Sequence, residues 1–453
     1  MSNINLYIPD IKAAIYEDNR RELKAALSYL PAVDIADGWE RFSADERRII
    51  FKSLEFDKKV EVFERLDLKF QKEIIESLRE KNLGSLLDDM ASDERVDLFE
   101  NLSKKKSNEL FSLMKEKEVE DVNELMAYGE DTAGGKMTTE YVALKPEMTA
   151  KEALITLQKS LNTKEVKNVY ALYSVDEAGR LKGGISLQRL IASDPGKKIS
   201  ELANPVDNIK VGVSMDQEEV ARLFAHYDLL SVPVVGRSNN LLGVITIDDI
   251  VDVIQEEATE DMVRMAGTES EELLSQSVFK IFKIRWPWLF VSWLGGLAAL
   301  AVISAFEETL AQAVAVAAFI PVIMGMGGNI GVQSSTIVVR GLAIGKIDLN
   351  AVGKSIFKEV KVGLALGISY GVLLGAVAHL RYSQGSNLGL IGLVAGMGIA
   401  ISMAVASTIG ALLPIIFDKV NIDPAVATGP MVTTTIDVIG LSIYFILATA
   451  ILL

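Results

Sequence analysis

Asp437 follows Thr433, Thr434, Thr435 and Ile436, and from there to residue 453 the chain is almost wholly apolar. A carboxylate set in hydrocarbon costs several kcal/mol unless water, a cation or a partner meets it. The segment holds no Lys or Arg. A cation is therefore the natural partner, and Asp437 is expected to face a hydrated path. The competing reading is an Asp near a helix end, reaching for a headgroup. The long apolar stretch after it argues against that.

A second polar cluster occupies 321–335. Asn329 and Gln333 stand four apart and share one helix face, beside Gly325, Gly327, Gly328 and Gly331, with Ser334 and Ser335 following. Small residues at this density pack helices. Packing does not account for Asn329 and Gln333, which are expected to line water or to bond a neighbouring helix. The glycines lack the strand-turn-helix context of a dinucleotide loop. Ahead of Asp437, Gly429 and Pro430 interrupt the segment. Proline removes a backbone donor and is expected to free a carbonyl, which is tolerated at membrane depth where it lines a cavity. Carbonyls, threonine hydroxyls and one carboxylate make an oxygen-only environment. That suits Mg²⁺, which keeps its waters and binds through them. One carboxylate per chain fits a hydrated ion, or two Asp437 side chains meeting across a dimer axis.

Carboxylates also gather outside the apolar segments. Asp249, Asp252, Glu256 and Glu260, flanked by Glu257 and Asp261, form a stripe at helical spacing. Like charges one turn apart destabilise a helix, and a dication between two such surfaces would relieve them. Asp89 and Asp93 are read as sharing one helix face beside Asp88 and Glu94. Taken alone, that surface is better explained by plain solvation.

The elements that must position these groups divide the chain in two. The formal net charge is −15, and the residues from 286 onward carry equal numbers of acidic and basic side chains, so the whole excess lies in 1–285. Such an acidic part repels nucleic acid and anionic lipid and attracts cations. There is no Cys, and two histidines, His226 and His379, are too few for a histidine zinc site. The first thirty residues are polar and mixed in charge, unlike a signal peptide.

An apolar run over 286–306 is long enough to span a bilayer, which takes about 20 residues. It opens with Trp286, Trp288 and Trp293 just after Lys280, Lys283 and Arg285, an aromatic belt beside a positive flank. Further spans are expected near 312–339, 362–380, 388–416 and 428–453. The loop with Arg340, Lys346, Lys354, Lys358 and Lys361 sets the orientation. Five spans then place the N-terminus in the cytosol and the C-terminus outside, in the plasma (cytoplasmic) membrane.

Residues 137–200 and 205–256 read as two copies of one unit: an extended start, an amphipathic helix, a β-rich stretch, a Leu-x-Gly turn and a closing helix. This resembles a tandem CBS pair, a regulatory module that often binds adenosine nucleotides. Residues 10–125 alternate short amphipathic patterns with polar breaks and read as a small helical superhelix. The fold class is thus a multi-domain membrane protein. It joins an all-α N-terminal superhelix over 1–130, an α/β CBS pair within 131–250, an acidic connecting helix over 248–280 and an α-helical membrane domain of five spans over 281–453.

The ordered features resemble the MgtE family of magnesium channels over essentially the whole chain. The resemblance rests on Gly-Gly-Asn at 327–329, Gln-Ser-Ser-Thr-Ile-Val-Val-Arg-Gly-Leu-Ala at 333–343, Asp-Pro-Ala at 423–425 and Thr-Thr-x-x-Asp at 433–437. Glu-Asp-Thr-Ala-Gly at 130–134 and Glu-Ala-Thr-Glu-Asp at 257–261 add to it. The resemblance implies a non-enzymatic homodimer whose second and fifth spans line the pore, with Asp437, Thr433 and Asn329 at the ion. It implies that intracellular Mg²⁺ closes the pore through Asp89, Asp93, Asp216, Glu218, Asp228, Asp249, Asp252, Glu257, Glu260 and Asp261, and the CBS resemblance implies ATP or another adenosine nucleotide at the CBS pair. Val332 and Gly429 depart from the family pattern at the pore. A Na⁺- or H⁺-coupled divalent-cation transporter is the alternative mechanism.

Overall fold

A computed structural model describes residues 4–163, 166, 169–275, 277–347, 352–382 and 390–453. The chain forms two compact units, Met1–Val251 and Asp252–Leu453.

The first unit opens with short helices running from Ile4–Tyr16 to Glu116–Leu125. Local chemistry starts them. Asn19 caps Arg20–Tyr29, and Ser43 forms a capping box with Glu46 at the head of Ala44–Ser53. Each helix buries one stripe, as Leu23 and Leu27 do, or Val60, Val62 and Phe63. Burying such a side chain contributes roughly 1.5–3 kcal/mol. Trp39 is wholly buried and meets Phe51 edge-on at 6.3 Å. The superhelix expected from the periodicity is present. Asp89 and Asp93, however, do not share a helix face. Asp89 ends helix Glu80–Asp88, Ala91 is extended, and Asp93 opens helix Ser92–Glu100. The break falls where the buried Met90 must turn inward, its carbonyl accepting from Arg95 Nη2 at 2.7 Å.

The two predicted repeats are matching three-stranded sheets. In the first, β1 (Ala143–Leu144) pairs parallel to β2 (Ala171–Val175), which pairs antiparallel to β3 (Leu181–Ser186). In the second, β4 (Val211–Gly212), β5 (Ser231–Val235) and β6 (Leu241–Thr246) repeat that order. Both carry an irregularity at the same place, Ser174/Val175 and Val234/Val235. The Leu-x-Gly expected as a turn lies instead within β3 and β6, and its glycine has a steric reason. A Cβ on Gly183 would stand 2.6 Å from the Asn204 carbonyl, and one on Gly243 2.7 Å from that of Thr138. The two repeats therefore need glycine where an incoming segment crosses the strand. Ser92 Oγ bonds Thr138 Oγ1 at 2.9 Å and accepts from Thr139 N at 3.0 Å, tying the helical domain to the first repeat.

The second unit holds five helices long and apolar enough to cross a membrane: Val278–Ala305, Val314–Ala343, Val352–Tyr382, Ile391–Lys419 and Pro424–Leu452. They are the first to fifth spans below. The expected start of the fourth at 388 lies outside the described residues. Trp286, Phe290 and Trp293 stack along the first, with centroids 5.0 and 5.6 Å apart. The fourth span is central. Its Gly392, Gly396 and Ala400 lie against Gly375, Gly371 and Gly367 of the third, so the two backbones run in close contact.

The connecting helix is one element, Ile247–Met265. Its acidic stripe therefore exists as a continuous helical surface. Pro430 differs from the sequence reading. It stands at the first turn of the helix that carries Asp437, where no intrahelical N–H is needed, and frees no carbonyl. The carbonyls of Gly429 and Pro430 instead accept from Thr433 Oγ1 at 3.0 and 3.2 Å.

Candidate cation site

In the second span a short 3-10 turn, Val314–Phe319, leads into helix Ile320–Ala343 with Pro321 in its first turn, and one face of that helix is pressed into the bundle. Gly327, Ile330, Gly331, Ser334, Ser335 and Val338 are buried. The other face turns Gly325, Gly328, Asn329, Val332 and Gln333 outward to an open cavity of about 540 Å³. Across it stand Thr433 and Asp437 of the fifth span. Asp437 is half-buried, while Asn329 and Gln333 are exposed. The proposed pore residues Asp437, Thr433 and Asn329 thus meet at one place, as does Gln333. Thr433, Thr434 and Thr435 each donate to a carbonyl one turn back, and of the three Thr433 lines the cavity. The surface offers one carboxylate, two carboxamides and a hydroxyl. That set can hold a hydrated cation by its water shell.

Ser334 and Ser335 prove to be packing groups. Ser334 Oγ donates to Glu359 Oε2 at 2.9 Å, and Ser335 Oγ bonds Thr428 Oγ1 at 2.8 Å. Glu359 is a buried acid of the third span that the sequence reading did not single out. Lys354, Lys358 and Lys361 surround it in sequence, so the segment reads as a charged linker. Its position within a long apolar helix was the available signal.

The carboxylates of the first unit crowd at one point. Asp93 Oδ1 is buried and takes no hydrogen bond. Burial first, then the nearby Asp97 and Glu64, push the Asp93 carboxyl up to about 6. Burial and the Asp93 charge push Asp249 up, against hydrogen bonds from Thr246 that favour its ionised form. Glu94 is raised to about 8 by burial and by the charges of Asp93, Glu64, Asp97 and Asp249. Asp89 lies apart, half-buried at a helix end. Asp216 caps helix Gln217–Tyr227 by accepting from Glu218 N at 2.9 Å, and Asp228 follows that helix in the left-handed region. Glu218 stands 3.7 Å from Arg222.

In the second unit Asp252 is exposed and Glu257 half-buried. Glu260 pairs with Arg264, whose Nη1 also reaches Asp423 Oδ2 at 2.5 Å. Asp261 is pushed up to about 6 by burial and by Asp423 and Glu257. The end of the connecting helix meets the start of the fifth span: Gly429 has φ +60°, and a Cβ there would stand 2.4 Å from the Met265 carbonyl. Only glycine fits that crossing, which accounts for one departure from the family pattern. Among the described residues no three Asp, Glu or His converge closely enough to hold a metal ion.

Comparison with known proteins gives this arrangement a family. A divalent cation transporter profile named MgtE matches residues 320–447, the MgtE intracellular N domain matches 30–131, and a CBS domain matches 199–256. A magnesium transporter MgtE of Thermus thermophilus is 34% identical over 450 residues, 98% of each chain. One from Bacillus subtilis is 36% identical over 329 residues, covering 73% of this chain and 71% of that one. Two solved structures resemble the soluble part. The cytosolic domain of the Mg²⁺ channel MgtE in complex with ATP has 33% identity and a TM-score of 0.51, covering 54% of this chain and 98% of its own. The soluble part of a magnesium transporter has 28% identity and a TM-score of 0.52, covering 56% of this chain and 100% of its own. With a relative matched from end to end and the acid, amides and hydroxyls of the fifth and second spans sharing one cavity, the chain belongs to the MgtE family of magnesium transporters.

Proposed function

We propose that this chain is a Mg²⁺ channel, importing the ion down its electrochemical gradient and closed by intracellular Mg²⁺. The observation that carries the reading is the cavity itself. Asp437 is the one ionisable side chain among the residues that line it, and its other polar partners are neutral oxygen and amide groups. A hydrated dication needs such a weak, water-tolerant surface if it is to enter and also leave. A single carboxylate on an exposed face suits a homodimer in which two copies of Asp437 share the ion. The cytosolic side would hold the N domain and CBS pair, with the C-terminus outside.

Closure by Mg²⁺ is supported by the carboxylate groups at Asp93, Glu94 and Asp249 and at Glu257, Glu260 and Asp261. It is supported too by the tight crossing of Met265 and Gly429, through which the connecting helix would press on the fifth span. ATP or another adenosine nucleotide is proposed for the CBS pair on the strength of the ATP-bound relative.

Glu359 favours a second reading, because a coupled transporter uses a further intramembrane acid. Its carboxylate is turned into Ser334, on the packed face of the second span. Flux in proteoliposomes separates the two. Uptake with the potential clamped is expected to continue without Na⁺ and with the proton gradient collapsed. Strict dependence on either co-ion would make the chain a coupled transporter.

A further inference from the structure

Glu359 is 7% exposed and joins three spans. Ser334 of the second span donates to its Oε2 at 2.9 Å. Ser407 of the fourth span donates to its backbone carbonyl at 2.9 Å, and the two serine hydroxyls lie 2.9 Å apart. Ser334 directly follows Gln333 and so stands about 100° around the helix from it. Whatever holds Ser334 inward therefore holds Gln333 and Asn329 toward the cavity.

The neighbouring contacts are apolar packing, of Ile323 and Ile330 in the core and of Gly331 against Ile436, and are not directional. Gly331 meets Gly410 backbone to backbone, and a Cβ on Gly410 would stand 2.2 Å from the Gly331 carbonyl. Smooth glycine contacts fix the distance between helices but resist rotation weakly, whereas a hydrogen bond is directional. Ser335 and Thr428 form a second directional contact of this helix, about 100° further round than Ser334. Removal of one leaves the other as a pivot.

We infer that Glu359 is a positioning residue for the ion path: its carboxylate anchors Ser334 and so sets the rotation of the second span that presents Asn329 and Gln333 to the cavity. The inference rests on reading that cavity as the path.

The chain contains no cysteine, so single thiols can report the rotation directly. Gln333→Cys places a thiol on the cavity face, and Ile330→Cys places one on the packed face. A charged, membrane-impermeant thiosulfonate reagent applied to the full chain in proteoliposomes is expected to modify position 333 quickly and position 330 slowly. Adding Glu359→Ala should slow the first and speed the second by about fivefold each, the scale of one lost hydrogen bond. Ser334→Ala should do the same and serves if Glu359→Ala does not fold. Glu359→Gln keeps an acceptor of the same shape and should restore both rates. The Mg²⁺ to Co²⁺ flux ratio should move with the alanine variants and return with Gln. Unchanged rates in both alanine variants would overturn the inference, and so would a Gln variant that behaves like Ala. Thiol reactivity reads helix facing rather than transport. Its outcome is therefore separate from a failure of Asp437 to carry flux, which would overturn the path itself.

Discussion

At the scale of single residues, Asp437 decides the reading. Its carboxylate lines the cavity, and no basic side chain among the lining residues neutralises it. Replacing it by Ala removes that charge while leaving Ile436 and Gly440, which make the packing face of the same helix, in place. Mg²⁺ uptake should fall at least about tenfold, since each 1.4 kcal/mol of lost ion stabilisation is a factor of ten. The protein should still elute as the same assembly from size exclusion in detergent. Asp437→Asn should impair uptake as well, because it keeps shape and loses charge. Normal selective flux in a folded Asp437→Ala protein would remove the residue from the pore.

At the scale of elements, close helix contact explains the glycines better than flexibility does. Gly410→Ala brings a Cβ against the Gly331 backbone, which cannot move aside as a side chain would. A loss of about 1–3 kcal/mol is expected, in line with overpacking. Gly296→Ala on the first span meets nothing within 4 Å and should be near neutral. Thermal stability in detergent compares the two, and equal stability of both variants would contradict the packing described. The elements themselves were largely legible. Hydropathy reveals the apolar runs at 286–306 and 428–453, and the repeated Leu-x-Gly reveals both sheets, although it lies in their strands rather than in a turn. The misread places depend on partners distant in sequence. The turn between Asp89 and Asp93 needs Met90 and Arg95 packed inside. Pro430 does mark the interruption, but it reads as freeing a carbonyl until its place at the helix start is seen. Glu359 reads as linker until Ser334 and Ser407 are beside it.

At the scale of the whole molecule, the acidic excess lies in residues 1–285, and the proposed closure by Mg²⁺ would have to overcome its self-repulsion. The packing of Asp93, Glu94 and Asp249 gives this a sign. Glu94 is raised from 4.5 to about 8 and Asp93 from 3.8 to about 6. The folded state thus keeps protons that the unfolded chain has already released over about pH 4 to 8. Stability from these groups is present at the low end of that window and declines as pH rises through it. At neutral pH and above, the ionised carboxylates repel, and under the proposed closure a dication between them would take over what the protons did. Each bound ion adds RT ln(1 + [L]/Kd) to the compact state, so several weak sites give a steep response. Without Mg²⁺, cleavage of the full chain within 125–137, where the helical domain joins the CBS pair, should accelerate from pH 5 to pH 8. Millimolar Mg²⁺ should suppress that acceleration, and Asp249→Ala with Glu94→Ala should abolish both the pH dependence and the Mg²⁺ effect. Cleavage that ignores pH and Mg²⁺ in the unmodified protein would dismiss these carboxylates as the sensor and leave Asp437 in the pore unaffected.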